Sequence, residues 1–187
     1  MKIFRIFILM LILFFVNACS FQSKQYNFLR NILEQKKMES IVPNWVINWT
    51  GIKINIYAIN SENRIFFANY DHYFLVFDGW QIIRAEGFFP DKMAAEIKVS
   101  DSDLTYIVNK KIIMTDSCKP WFVSADETTD FMLYQQICDV TGTDYNYTNL
   151  IFINEHKKII GLKYKLHPDY PSIQLNMNEY TDLNFNR

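Results

Sequence analysis

Apolar residues follow three rhythms along this chain. The first is an unbroken run over residues 6–16. It is too short to cross a bilayer comfortably, which takes about 20 residues, and it suits the apolar core of an export signal. The second is a spacing of three to four over residues 26–37. It places Phe28, Leu29, Ile32 and Leu33 on one face, with Lys36 and Lys37 at the C-terminal end. That pattern predicts a helix. The third begins after Pro43 and has a period of two. Ile52, Ile54, Ile56 and Ala58 alternate with Lys53, Asn55 and Tyr57, the mark of a half-buried strand.

Turn signals divide the rest into short strands. Thr50-Gly51 separates 46–49 from the alternating strand, and residues 60–63 form a polar turn before 65–68. Asp78-Gly79 joins 73–77 to 80–85, and Asn109-Lys110 joins 104–108 to 111–115. Residues 121–124 form a short strand. A final hairpin pairs 149–154 with 158–166, and 172–177 follows the turn at 168–171. Residues 92–98 read as a short helical turn, 129–140 as either strand or helix, and the polar tail after Tyr180 as a fraying end. Many short strands at regular spacing predict a mainly-β fold, an antiparallel sandwich or barrel-like sheet with one N-terminal helix. Residues 1–18 read as a signal peptide, 19–25 as a tether and 26–187 as one β-rich domain.

The flanks of the apolar run sharpen that reading. Lys2 and Arg5 precede it, and Val16-Asn17-Ala18-Cys19 ends it. A small residue followed directly by Cys resembles the lipobox of bacterial lipoproteins, with Asn17 departing from the usual small residue at its place. The resemblance implies cleavage before Cys19 and lipidation of its sulfur and amino group, hence a membrane held through a lipid anchor. With Ser20 rather than an aspartate after the cysteine, it also implies passage to the outer membrane, with the domain facing the periplasm.

Composition adds exclusions. The chain has 187 residues, half of them apolar, with a net charge of −1 and only 5 Gly and 5 Pro. That is ample core for one domain and excludes collagen-like or low-complexity sequence. Lys and Arg occur in scattered pairs, without the basic stripe that neutralises phosphates, so no nucleic-acid partner is expected. With Cys19 assigned to lipid, Cys118 and Cys138 form an even pair in an oxidising compartment, which predicts a disulfide.

Two longer stretches carry a resemblance. One runs from Arg64 through Phe77, Asp78-Gly79-Trp80 and Ile82-Ile83-Arg84 to Gly87-Phe88; the other runs from Ile159 through His167-Pro168 to Leu175. Together with the lipidated N-terminus, they resemble the core and the closing hairpin of the YjbF/GfcB family of outer-membrane lipoproteins. The chain departs from that pattern at Trp80, where an Arg is expected, and at Lys165, where a Gln is expected. The resemblance implies a lipoprotein encoded with genes for capsule or exopolysaccharide assembly and export, without catalytic residues to carry over.

Candidate chemistry is sparse. His72 follows Asp71, His156 follows Glu155 and His167 precedes Pro168, but no nucleophile or third partner stands near any of them in pattern. Asp101 and Asp103 lack the glycine and closing glutamate of a calcium loop. Asp126, Glu127 and Asp130 form another short acidic group, in which Asp126 and Glu127 make a glycosidase pair only with another acid across a cleft. No catalytic residue, metal site or cofactor is therefore expected. Aromatics are the one surplus: Tyr57, Tyr70, Tyr73, Trp80, Trp121 and Tyr134 either fill a core or line a groove that stacks on sugars. Trp80, Trp121 and Tyr73 are the candidate binding residues. Three functions compete: a non-enzymatic accessory of surface-polysaccharide assembly that binds an envelope protein or a glycan, a structural lipoprotein contacting an outer-membrane complex, and a periplasmic hydrolase.

Overall fold

Among the described residues the fold has thirteen strands: β1 Trp45–Trp49, β2 Ile52–Ser61, β3 Arg64–Ala68, β4 Phe74–Phe77, β5 Ile82–Glu86, β6 Ala94–Ser100, β7 Asp103–Val108, β8 Lys111–Cys118, β9 Phe122–Ser124, β10 Phe131–Val140, β11 Asn146–Asn154, β12 Ile159–Tyr164 and β13 Ile173–Met177. The computed structural model describes residues 44–61, 63–89, 94–124, 131–167, 169–180 and 183–185. These belong to a compact unit spanning Pro43–Arg187. Cys19, the tether and the helix expected at 26–37 lie outside the described residues, as do Asp126, Glu127 and Asp130.

Strands β1 to β8 pair antiparallel in chain order, β8 passes to β10, and β10 to β13 return to β1. Twelve strands thus close on themselves as a barrel. Closure removes the free edges that an open sheet would carry. The exception is β9, which lies on β10 beyond the end of β8, pairing Ser124 with Leu133 and Phe122 with Gln135.

The turns follow local chemistry. Asn109 and Lys110 both take positive φ, at 50° and 63°, and so close the β7–β8 hairpin with the twist its strands need. Gly87 is required for a different reason. At φ +84 a Cβ there would lie 2.5 Å from the His72 carbonyl oxygen, so only a glycine lets the two backbones approach.

Alternate residues fill the barrel. Ile47, Ile56, Phe67, Leu75, Phe77, Ile82, Tyr106, Tyr164 and Leu175 are fully buried or nearly so. Each large apolar side chain so buried contributes roughly 1.5–3 kcal/mol. Trp49, Phe88, Phe89 and Tyr170 close one end, with ring centroids 5.6–6.3 Å apart around Trp49.

A second, smaller cluster lies on the outer face of β10–β12: Leu133, Leu150, Phe152, Ile160 and Phe185. The C-terminal tail covers it. Phe185 is only 8% exposed, Lys163 Nζ donates to its carbonyl at 2.8 Å, and Asn176 Nδ2 donates to the Tyr180 carbonyl at 3.0 Å. Around Leu183 and Phe185 the fraying expected of this tail is replaced by packing, because two apolar side chains among polar ones suffice to dock it.

The structure corrects one element and settles another. Of residues 92–98, expected as a short helical turn, those from 94 on belong to strand β6, with Ala95 and Ile97 inward and Glu96 and Lys98 exposed. The helix-forming tendency of Ala, Glu and Lys loses to pairing on both sides with β5 and β7. Residues 131–140 are strand.

Candidate functional site

The first site stands where the β4–β5 hairpin meets β9 and β10. Asp78 builds the turn: its Oδ1 accepts the amides of Trp80 at 3.0 Å and Gln81 at 2.9 Å, while Gly79 takes φ +103. The register of β4 on β5 shifts between Val76 and Phe77, just before this turn. A bulge of that kind re-aims the chain it precedes. The Tyr164 hydroxyl, from across the barrel, donates to the Trp80 carbonyl.

Trp80 is thus fixed through its backbone while its side chain is 49% exposed. Trp121 lies 5.9 Å away, tilted at 40°, and Tyr134 lies 5.6 Å away, nearly edge-on. Behind them Tyr164 packs against Trp121 at 6.1 Å and Phe77 at 6.0 Å. Val123 pairs with Tyr134, and Met132 stands two residues before it on the same face; both are exposed. Trp80 stands in the β4–β5 turn and Trp121 just before β9, both half-buried to half-exposed, while Tyr134 and Met132 are on β10 and Val123 is on β9. Such a surface can stack on the apolar face of a sugar or take an apolar side chain of a partner.

Two of the three candidate binding residues therefore come together, and Tyr73 does not. It packs against Phe88 at 5.1 Å, with its amide held by Asn69 Oδ1. Tyr57 and Tyr70 make a separate edge-on pair at 5.9 Å. Sequence reasoning missed Val123 and Met132, whose only signal is their period-two relation to Trp121 and Tyr134.

The second site is inside the barrel. The Tyr106 and Tyr147 hydroxyls are 2.7 Å apart, and the Tyr147 hydroxyl donates to Asp116 Oδ2 at 2.5 Å. Asp116 is fully buried, and among the described residues its Oδ1 has no hydrogen-bond partner. Burial pushes its carboxyl above the ordinary range, against the opposing pull of the Tyr147 hydrogen bond and of Lys165. Both phenols are driven upward, chiefly by burial, and stay protonated.

Lys165 donates to the Tyr170 carbonyl at 2.6 Å and sits over the Tyr145 ring. Burial lowers its pKa, while Asp116 and Asp169 act to raise it. A cavity of about 580 Å³ opens at this end, lined by Met114, Thr115, Val140, Thr141, His167 and Asp169, among others. His167 Nδ1 accepts the Asp169 amide at 3.1 Å, so the neutral ring carries its hydrogen on Nε2. Burial pushes its pKa down, opposed by Asp169. None of Tyr106, Asp116 and Tyr147 carried a distinguishing signal in the sequence.

The remaining candidates stay apart. Cys118 and Cys138 form a disulfide between directly paired residues of β8 and β10. His156 approaches Glu155 at 3.4 Å on the exposed β11–β12 turn, and His72 lies exposed in a turn at φ 70°. Asp101 and Asp103 are exposed in the β6–β7 turn. Among the described residues, no three His, Cys, Asp or Glu side chains gather as metal ligands would.

No protein-family model matches this chain, and no curated protein matches it in sequence. In fold it is similar to the hypothetical lipoprotein YmcC from Escherichia coli (K12), with a TM-score of 0.51 at 7% identity; the match covers 86% of this chain and 96% of that one. At such an identity the likeness speaks for the fold alone.

Proposed function

We propose that this chain is a lipid-anchored accessory protein of the bacterial envelope, acting in the assembly or export of surface polysaccharide by binding rather than by catalysis. The anchor is Cys19, at the end of an export signal. The barrel shared with a protein described as a lipoprotein is consistent with that reading. So is the resemblance of residues 64–88 and 159–175 to a family tied to capsule and exopolysaccharide genes. The outer membrane, with the domain in the periplasm, is the location this reading assigns.

The observation that carries the binding role is the rigidly held, half-exposed Trp80 beside Trp121 and Tyr134. Aromatic anchors in preorganised clefts dominate binding energy. A glycan or an envelope protein is the partner. The exposed Phe122 and Val123 of β9 favour a protein contact as the second reading, since a short strand beside an apolar patch suits an extended segment.

The test is a deletion strain complemented with single variants at matched protein levels. Cys19→Ala and Trp80→Ala are expected to impair surface polysaccharide, while His72→Ala, Asp126→Ala and Glu127→Ala leave it intact. Mass spectrometry of the mature protein is expected to find acyl chains on Cys19. Loss of export from one carboxylate or histidine substitution, in a folded and anchored protein, would replace binding with a reaction. An unmodified N-terminus elsewhere would remove the anchor.

A further inference from the structure

Among the described residues, the seam where β8 meets β10 is one of the two shortest in the barrel, with β5–β6 the other. Only three residue pairs join these strands: Cys118 with Cys138, Ser117 with Asp139, and Asp116 with Val140. By contrast, β10 and β11 pair over nine positions. Two devices reinforce the short seam. One is the disulfide. The other is the chain of side chains from Tyr106 on β7 through Tyr147 on β11 to Asp116 on β8, which spans the seam from inside.

The second device contains a group that changes charge. Asp116 is fully buried, one oxygen is held by Tyr147, and the other has no partner among the described residues. A buried charge needs a partner and saturated hydrogen bonds. The charged and titratable groups facing Asp116 are few. Tyr106 comes from β7, Tyr147 from β11, and Lys165 from the segment after β12. β10 contributes Cys138, locked in the disulfide, and the uncharged Gln136. Lys165 is committed to the Tyr170 carbonyl, and Asp169, with His167 beside it, competes for its charge. No facing group fully compensates an ionised Asp116.

We propose that the β8–β10–β11 seam is a proton-operated latch, which tightens when Asp116 takes a proton from solvent and loosens when Asp116 returns it. The open cavity lined by Met114, Thr115, Val140 and Thr141 borders this seam, so solvent reaches its edge. In the closed barrel burial holds the Asp116 carboxyl above its usual 3.8, and opening restores the ordinary value. Closed therefore binds the proton more tightly than open. Acidification favours the closed seam between the raised value and about 3.8, and below that range the effect stops growing.

The buried disulfide reports opening, because a reductant reaches Cys118 and Cys138, 4% and 0% exposed, only when the seam parts. The experiment measures reduction of the folded protein by a trialkylphosphine from pH 4 to 8, normalised to the reagent's rate on glutathione disulfide. The wild-type rate is expected to rise severalfold with pH, by at most about tenfold per unit for one proton. Asp116→Asn should flatten the profile. Tyr147→Phe removes the hydrogen bond that favours the carboxylate, so its rise should move to higher pH. A flat wild-type profile overturns the latch, and so does an unchanged slope in Asp116→Asn. If that variant does not fold, an unshifted profile in Tyr147→Phe overturns it equally.

Discussion

Replacing Cys118 and Cys138 together by alanine removes the covalent tie across the short β8–β10 seam of the barrel. The two cysteines are 20 residues apart in sequence. The chain-entropy relation for a loop of that length gives about 11 cal/mol/K, or about 3.3 kcal/mol at 25 °C. Two sulfur atoms lost from a buried site add a cavity cost of order 1 kcal/mol. A loss of about 4 kcal/mol corresponds to a fall in Tm of roughly 8–16 °C for a domain of this size. Urea unfolding of the oxidised parent and the double variant measures the difference directly. The location predicts more than the magnitude. Amides at 116–118 and 138–140 should exchange faster, while those of β12 and β13, paired on both sides, should keep their protection. A loss under about 1 kcal/mol, or faster exchange spread evenly around the sheet, would refute the idea that the disulfide braces this seam.

Tyr147→Phe leaves both Asp116 and Tyr106 short of a partner, whereas Tyr106→Phe removes only the end of the chain. Urea unfolding should show losses of about 2–4 and about 1 kcal/mol respectively. Lys165→Met removes a charge that lowers the Asp116 pKa. The range over which acid stabilises the fold should therefore extend to higher pH, as read from unfolding free energies at a series of pH values. Trp80→Ala, at a half-exposed position, should cost less than about 1 kcal/mol of stability while abolishing partner binding. Gly161→Ala places a Cβ against Leu183 Cδ1 and should free the tail, detected as faster proteolysis after Tyr180 at a cost of about 1–3 kcal/mol.

The sequence made the hairpins legible because their turns are chemically explicit. Thr50-Gly51, Asp78-Gly79 and Asn109-Lys110 each contain a residue, Gly51, Gly79 or Asn109, that tolerates the positive φ found there. The alternation of Ile54 and Ile56 with Lys53 and Asn55 also matched burial. β6 was misread because Ala94-Ala95-Glu96 favours helix locally, and only pairing with strands remote in sequence decides otherwise. Sandwich or barrel was undecidable for the same reason: closure depends on β13 meeting β1 and β10 meeting β11, which no local pattern encodes.

Of the site, the aromatic surplus was visible but its partition was not. Trp80 and Trp121 join because the β4–β5 turn reaches across to β9, whereas Tyr73 is drawn to Phe88 by the Gly87 approach. The interior acid was invisible. Asp116 sits in a polar run, Thr115-Asp116-Ser117, that reads as an exposed strand face until Tyr147 arrives from 31 residues away.

The docked tail has a consequence for how the molecule is made and handled. The apolar patch of Leu133, Leu150, Phe152 and Ile160 is roofed by residues near the very end of the chain. Those residues are made after the strands they cover, so the patch stays bare until they emerge. A nascent chain at that stage presents a sticky outer wall, the kind of surface that chaperones hold and that aggregates nucleate on. Nonsense truncation before Leu183 would make that state permanent.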